Sequence, residues 1–161
     1  MLEINIVAAG KIKEDYLARG IREYVKRLAP FAKVTISEIR EEKMPHAPSE
    51  AEKKQALERE GVRLKKLVTD GSFLVALDVH GEELSSEELA KKIGECEKAG
   101  AKSITFIIGG PFGLGENVRK VADFRLSFSK MTFTHQMVRL LFVEQLYRAF
   151  TIIKGEKYHN D

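Results

Sequence analysis

The chain has a single cysteine, Cys96, and no tryptophan among its 161 residues. A lone thiol closes no intramolecular disulfide, so packing has to hold the fold, and a reducing cytoplasmic setting is expected. The N-terminus, Met1-Leu2-Glu3-Ile4-Asn5, lacks the basic-then-apolar pattern of an export signal. No apolar run approaches the roughly 18 residues of a membrane span, so no membrane is expected. The four histidines, His46, His80, His135 and His159, are scattered along the chain and away from Cys96. The close ligand pairs of a zinc site are missing, and no metal is expected.

The common nucleotide signatures are missing too. No G-x-G-x-x-G follows the first apolar segment, and Gly110 to Gly115 runs into Glu116 where a P-loop needs Lys and Ser or Thr. No G-x-S-x-G elbow occurs, which argues against an α/β hydrolase. Dinucleotide dehydrogenases, P-loop NTPases and the common Rossmann-type methyltransferases place their glycines early. Here the glycine loop comes late.

What is present is 43% hydrophobic and 32% charged, the balance of an ordinary globular protein. The length suits one domain, residues 1–161, burying roughly two-thirds of its unfolded surface. A net charge of +3 and a pI near 8.9 permit nucleic-acid binding without diagnosing it. Basic residues are in local excess near the N-terminus: Lys11, Lys13, Arg19, Arg22, Lys26, Arg27 and Lys33, against Glu14, Asp15 and Glu23. A solvated helix face explains them as well as an RNA surface does.

Alternation at Leu2, Ile4, Ile6 and Ala8 predicts a first strand ending at Gly10. Asp15 to Leu28 has apolar residues at helical spacing and is closed by Pro30. Val34 to Ile39 is a second strand, followed by a polar loop over Arg40 to Pro48. Ser49 with Glu52, and Ser85 with Glu88, are capping-box starts for helices running to Val68 and to about Lys98. Between them Phe73 to Leu77 is a buried strand ending at Asp78, with His80-Gly81 in the loop. Ile104 to Ile108 is another strand, Asn117 to Ala122 a short helix, and Phe124 to Ser129 a last strand. A final helix from Gln136 to about Ile153 leaves almost no polar face, so it needs cover on every side, in part from a second copy of the chain. Strands alternating with helices predict an α/β fold with a mostly parallel sheet of about five strands and helices on both faces.

Three segments can meet at one edge of such a sheet: Leu77-Asp78, Gly109-Gly110-Pro111, and Ser129 to Thr134. Loops at the carboxyl ends of strands are where small molecules bind in open α/β sheets. Backbone groups there can hold an adenine, with Leu77 and Met131 as apolar walls. Each residue also has a plainer role. Gly-Gly-Pro after a strand is an ordinary turn, Leu77 is core, Met131 fills a gap, and Lys130 is a surface charge.

The combination is more specific than its parts. Leu77-Asp78, the Ile-Gly-Gly-Pro-Phe-Gly loop, the Leu-Ser-Phe-Ser-Lys-Met-Thr-Phe-Thr-His-Gln run, Leu-Tyr-Arg-Ala-Phe at Leu146 to Phe150 and the terminal Tyr158-His159 closely resemble one family. It is the bacterial large-subunit ribosomal RNA pseudouridine N3-methyltransferase family of the SPOUT (trefoil-knot) class, and the likeness covers essentially the whole chain. The resemblance implies S-adenosylmethionine as methyl donor and a pseudouridine in the helix 69 loop of 23S rRNA as acceptor, within the large subunit or the assembled ribosome. It also implies a homodimer and a C-terminal trefoil knot. Carried onto this chain, the cofactor contacts fall on Leu77, Gly109, Gly110, Ser129, Lys130, Met131, Thr132, Phe133 and Thr134. Phe112 stands where relatives often carry Glu or Tyr, and Thr134 where many carry Pro.

The candidate catalytic residues are His135, Arg148, Tyr158 and His159. A histidine can accept a proton near neutral pH, and an arginine can hold a phosphate or a developing anion on the base. The plainer alternatives are that His135 caps the last helix, that Arg148 pairs with Glu144 one turn earlier, and that the polar tail frays. A non-enzymatic RNA- or nucleotide-binding module, or a SPOUT enzyme acting on another RNA, are the competing functions.

Overall fold

The computed structural model describes residues 1–160 as strands and helices in alternation. They are β1 (Glu3–Ala9), α1 (Asp15–Leu28), β2 (Lys33–Ile39), α2 (Glu50–Lys65) and β3 (Phe73–Glu83), then α3 (Ser86–Lys98), β4 (Ser103–Ile108), α4 (Glu116–Arg119), β5 (Phe124–Ser127) and α5 (His135–Lys154). All strand pairs are parallel, in the order β2-β1-β4-β3-β5.

Local chemistry sets the helix starts. Ser49 Oγ accepts the Glu52 N–H at 3.1 Å while the Glu52 carboxylate accepts the Ser49 N–H. Ser85 and Glu88 repeat the exchange at the head of α3. Each box satisfies two N–H groups that a helix start would otherwise leave without partners. At the other extreme, α5 stops where Gly155 takes a left-handed φ of 69°.

The sheet is covered on both sides, which is why every residue of β4 is buried rather than every second one. On one face Ile4 and Ile6 of β1 and Ile104 and Phe106 of β4 pack against Ile21, Leu89, Ile93, Phe142 and Leu146 from α1, α3 and α5. Phe106 and Phe142 meet edge to face, ring centroids 4.8 Å apart; truncating either to alanine would cost about 3–5 kcal/mol. On the other face Val7, Ala76 and Ile107 pack against Leu64 of α2 and Val118 of α4. Thr105, fully buried in β4, satisfies its hydroxyl on Ser72 Oγ at 2.7 Å.

Several boundaries differ from the sequence expectation. β3 continues to Glu83 through the expected His80-Gly81 loop. Its register against β5 jumps from Leu77 to Glu82, both opposite Leu126, so the intervening residues bulge out of the ladder. A side chain at Gly81 would run into the Arg125 carbonyl, so only glycine fits the bulge there. β5 ends at Ser127 rather than Ser129, whose hydroxyl instead accepts the Met131 N–H at 3.0 Å in a tight turn. α2 ends at Lys65, short of Val68, and α4 begins at Glu116 and spans only four residues.

α5 packs between α1 and α3. Its Phe142, Val143, Leu146, Ala149 and Phe150 are buried, while Met137, Val138, Leu140, Leu141 and Tyr147 are only half-buried within the chain. One charge goes fully inside: Arg139 is 3% exposed, ion-paired with Glu38 and donating to the Ala9 and Gly10 carbonyls. A buried charge is tolerable when its donors are spent in this way.

Candidate functional site

At the carboxyl edge of the sheet lies a cavity of about 740 Å³. Its walls bring together the three segments that the sequence placed at one edge: Leu77 and Asp78 in β3, Gly109 to Pro111 after β4, and Phe128 to His135 after β5, apart from Lys130. Tyr16 and Leu17 of α1 close one side. The walls are mainly apolar, with a few convergent polar groups, as in ligand cavities generally.

The glycine loop is shaped by its own turn. Gly113 donates its N–H to the Gly110 carbonyl at 3.0 Å and takes a φ of 83°. A side chain at Gly109 would collide with the Gly113 carbonyl, so that glycine makes room for the loop itself. Gly110 is different: its missing side chain faces the Glu41 carboxylate at ordinary contact distance and leaves backbone on the cavity wall. Phe112, outside the cavity, lies under the Lys53 ammonium, 5.3 Å from the ring centroid, which ties the loop to α2.

Of the predicted cofactor contacts, Leu77, Gly109, Gly110, Ser129, Met131, Thr132, Phe133 and Thr134 line the cavity. Lys130 does not; its ammonium points out toward Glu83 at 3.7 Å. Thr134 has a second task. Its Oγ1 accepts the Met137 N–H at 3.3 Å and so caps α5. The cap fixes the chain's entry into the helix, and it leaves His135 as the first helical residue rather than the cap.

The four candidate catalytic residues fall into two places. His135 lines the cavity, its Nε2 3.3 Å from a Glu41 carboxylate oxygen. Arg148 is 13 residues further along α5, about 20 Å away at 1.5 Å per residue. Tyr158 and His159 are with Arg148, not with His135. Their tail is not frayed: it folds back on α5, with Tyr158 and His159 both half-buried.

This second cluster is dense. Arg148 donates to Glu144 Oε1 at 2.7 Å, the expected pair one turn back, and its guanidinium lies over the Tyr158 ring at 4.7 Å. The Tyr158 hydroxyl donates to the same Glu144 oxygen at 2.9 Å and meets the Tyr24 hydroxyl at 3.3 Å. Burial first, then these two hydrogen bonds, push the Tyr158 hydroxyl well above the ordinary tyrosine pKa. The bond to Glu144 raises the Arg148 pKa further. His159 approaches Arg148 NH1 at 3.1 Å through Nδ1 and Glu87 at 2.6 Å through Nε2.

Three residues at these places were not singled out as site residues. Asp78 is 8% exposed and on the cavity wall; its Oδ2 is buried without a hydrogen-bond partner, 3.6 Å from Arg125. Only its position after Leu77 at a strand end hinted at this. Glu41 and Glu87 reach their histidines from distant elements, and sequence spacing carries no signal for either. Among the described residues, no helix is long and apolar enough to cross a membrane, and no group of three His, Cys, Asp or Glu could hold a metal.

Comparison with known proteins adds a family. The model of a family described as "Predicted SPOUT methyltransferase" matches residues 2–159. The chain is 51% identical over 158 residues to the ribosomal RNA large subunit methyltransferase H of Halothermothrix orenii, covering 98% of this chain and 99% of that one. It is 50% identical, with the same coverage, to the protein of that name from Carboxydothermus hydrogenoformans. Among solved structures, a probable methylase family protein from Haemophilus influenzae Rd KW20 shares the fold, with a TM-score of 0.55 at 16% identity. That match covers all of this chain and 72% of the other.

Proposed function

The chain belongs to the SPOUT methyltransferase family, and we propose that it methylates N3 of a pseudouridine in the helix 69 loop of 23S rRNA. The methyl donor is S-adenosylmethionine, and the substrate is presented by the large subunit or the assembled ribosome. The enzyme works in the cytoplasm as a homodimer of single-domain chains, residues 1–161, each with a trefoil knot in its C-terminal half. The observation that carries this reading is the cavity built from the ends of β3 and β4 and from the Phe128 to His135 segment, in a chain about 50% identical over its whole length to large-subunit rRNA methyltransferases.

The cavity suits the donor. Its volume lies within the roughly 300–1,000 Å³ of small-molecule sites. Leu77 and Met131 offer apolar surface to an adenine, and the backbone of Gly110 and of Ser129 to Thr134 offers hydrogen bonds. Asp78 is on the same wall, its carboxylate held by the Arg125 guanidinium at 3.6 Å. When bound, S-adenosylmethionine supplies an electrophilic methyl on a positive sulfonium.

The chain's own residues align the acceptor nitrogen, exclude water and manage its proton. His135 stands at the cavity and Arg148 at the far end of α5, so a single chain does not present both to one base. The half-buried apolar side of α5 is where a second copy docks, bringing the partner's Arg148 and tail toward this cavity. The basic side chains near Arg19, Arg22 and Lys26 supply phosphate contacts, which give affinity and salt dependence rather than sequence choice. Selectivity for one nucleotide comes from the folded RNA around it.

The test is transfer of tritiated methyl from S-adenosylmethionine to ribosomes lacking the modification, followed by mapping of the labelled nucleotide. Label at N3 of a helix 69 pseudouridine is expected. Label on another rRNA site or on tRNA replaces the substrate, and RNA binding without transfer makes the chain a binding module. A protein that sediments only as monomer at micromolar concentration overturns the dimer.

A further inference from the structure

His159 has a charged neighbour at each ring nitrogen. Nδ1 is 3.1 Å from Arg148 NH1, and Nε2 is 2.6 Å from Glu87 Oε1. A guanidinium has donors and no acceptor, so the nitrogen facing it has to be bare. The ring proton is then on Nε2, facing a carboxylate that accepts it. Both contacts agree on one state, the neutral Nε2–H tautomer, with neither nitrogen left over to take a proton from substrate.

Glu87 is well placed to impose that state. It stands in the first turn of α3, where the free N–H groups of a helix start favour a carboxylate. Its carboxyl is held below the usual range first by its own backbone N–H and then by His159. The start of α3 is itself fastened to α5: the Ser86 hydroxyl donates to Gln145 Oε1 at 2.6 Å, three residues before Arg148. Arg148 is thereby held from two sides, by Glu144 from its own helix and by His159 from the tail.

We propose that Glu87 is a positioning residue, which holds His159 as the Nε2–H tautomer so that Nδ1 fixes one arm of Arg148 for the substrate. His159 is then a fastening for the arginine rather than a proton acceptor. The assignment rests on the reading that Arg148 and the tail serve methyl transfer. The general rule behind it is that the hydrogen bond made at one imidazole nitrogen decides which nitrogen carries the proton.

The test uses the full chain labelled with ¹⁵N, its His159 ring assigned by comparison with His159→Asn. Long-range ¹H–¹⁵N spectra at pH 8 are expected to show the Nε2–H pattern in the wild type. Glu87→Gln, whose amide oxygen still accepts, keeps that pattern, and Glu87→Leu, which lets the ring turn away from Arg148, loses it for the averaged pattern of a free imidazole. In methyl transfer, Glu87→Leu lowers kcat about tenfold with the KM for S-adenosylmethionine within about twofold, while Glu87→Gln recovers most of the rate. An unchanged tautomer in Glu87→Leu overturns the assignment, as does an Nδ1–H or doubly protonated ring in the wild type. A lost tautomer with unchanged kcat also overturns it. If the wild type transfers no methyl to any RNA while the tautomer responds as expected, the functional reading fails and Glu87 remains the residue that sets His159.

Discussion

The two ends of α5 are built to opposite plans. At its start the helix opens on a mainly apolar cavity, with Met131 and Phe133 exposed and the glycine loop on the wall. At its far end Glu144, Arg148, Tyr158, His159 and Glu87 are joined side chain to side chain. A site that binds a ligand keeps polar groups unspent and apolar surface bare. A site that must hold one side chain steady spends its polar groups on one another. The difference fits the proposed cofactor binding at the first end and the proposed presentation of Arg148 at the second.

Breaking the second end should remove turnover and spare binding. Arg148→Ala is expected to cut methyl transfer by at least about 100-fold while the calorimetric affinity for S-adenosylmethionine stays within about threefold. An equal loss of affinity would collapse the distinction between the ends. Breaking the first end gives the mirror image. Gly110→Val puts a branched side chain on the cavity wall against Glu41, and calorimetry should show cofactor affinity at least about tenfold weaker. If the two ends meet across a dimer, mixing these two variants at a cofactor concentration too low for Gly110→Val restores activity, to about a quarter of the wild-type level for random exchange. Mixtures that stay inactive would place both ends in one chain.

Smaller effects sharpen the same contrast. Thr134→Ala removes the cap at the cavity end and should cost about 1 kcal/mol, seen as a melting temperature about 2–4 °C lower. The tail end should respond to alkali instead. Burial and its bonds to Tyr24 and Glu144 raise the Tyr158 pKa in the folded chain, so the folded state keeps that proton when the unfolded state has begun to lose it. The stability this contributes is complete below the ordinary tyrosine pKa of about 10 and is lost as pH rises beyond it. Urea unfolding at pH 9 and at pH 11 should therefore show a shallower decline for Tyr158→Phe than for the wild type.

How much could be read in advance follows from how local each feature is. Both capping boxes were legible because a serine and a glutamate three residues apart carry their own geometry. The bounds of α1 were legible from helical spacing and Pro30. The continuation of β3 past Asp78 was not, because its strand character comes from pairing with β5, distant in sequence. Arg139 in an apolar helix gave no hint that Glu38 and two carbonyls of β1 and its loop would receive it. The tail at Tyr158 and His159 read as fraying on its polarity, yet Glu144, Tyr24 and Glu87 supply partners from three helices.

The sequence by itself determined the alternation of strands and helices, the late glycine loop, and the segments available to wall a cavity. Periodicity, capping and turn chemistry act within a few residues, so they survive without the fold. Only the tertiary structure decided the strand order, the division of the candidate catalytic residues between the two ends of α5, and the neighbours of His159. Those depend on side chains up to 134 positions apart meeting within hydrogen-bond distance, and the physics that selects such pairs is packing of the whole core, not any local pattern.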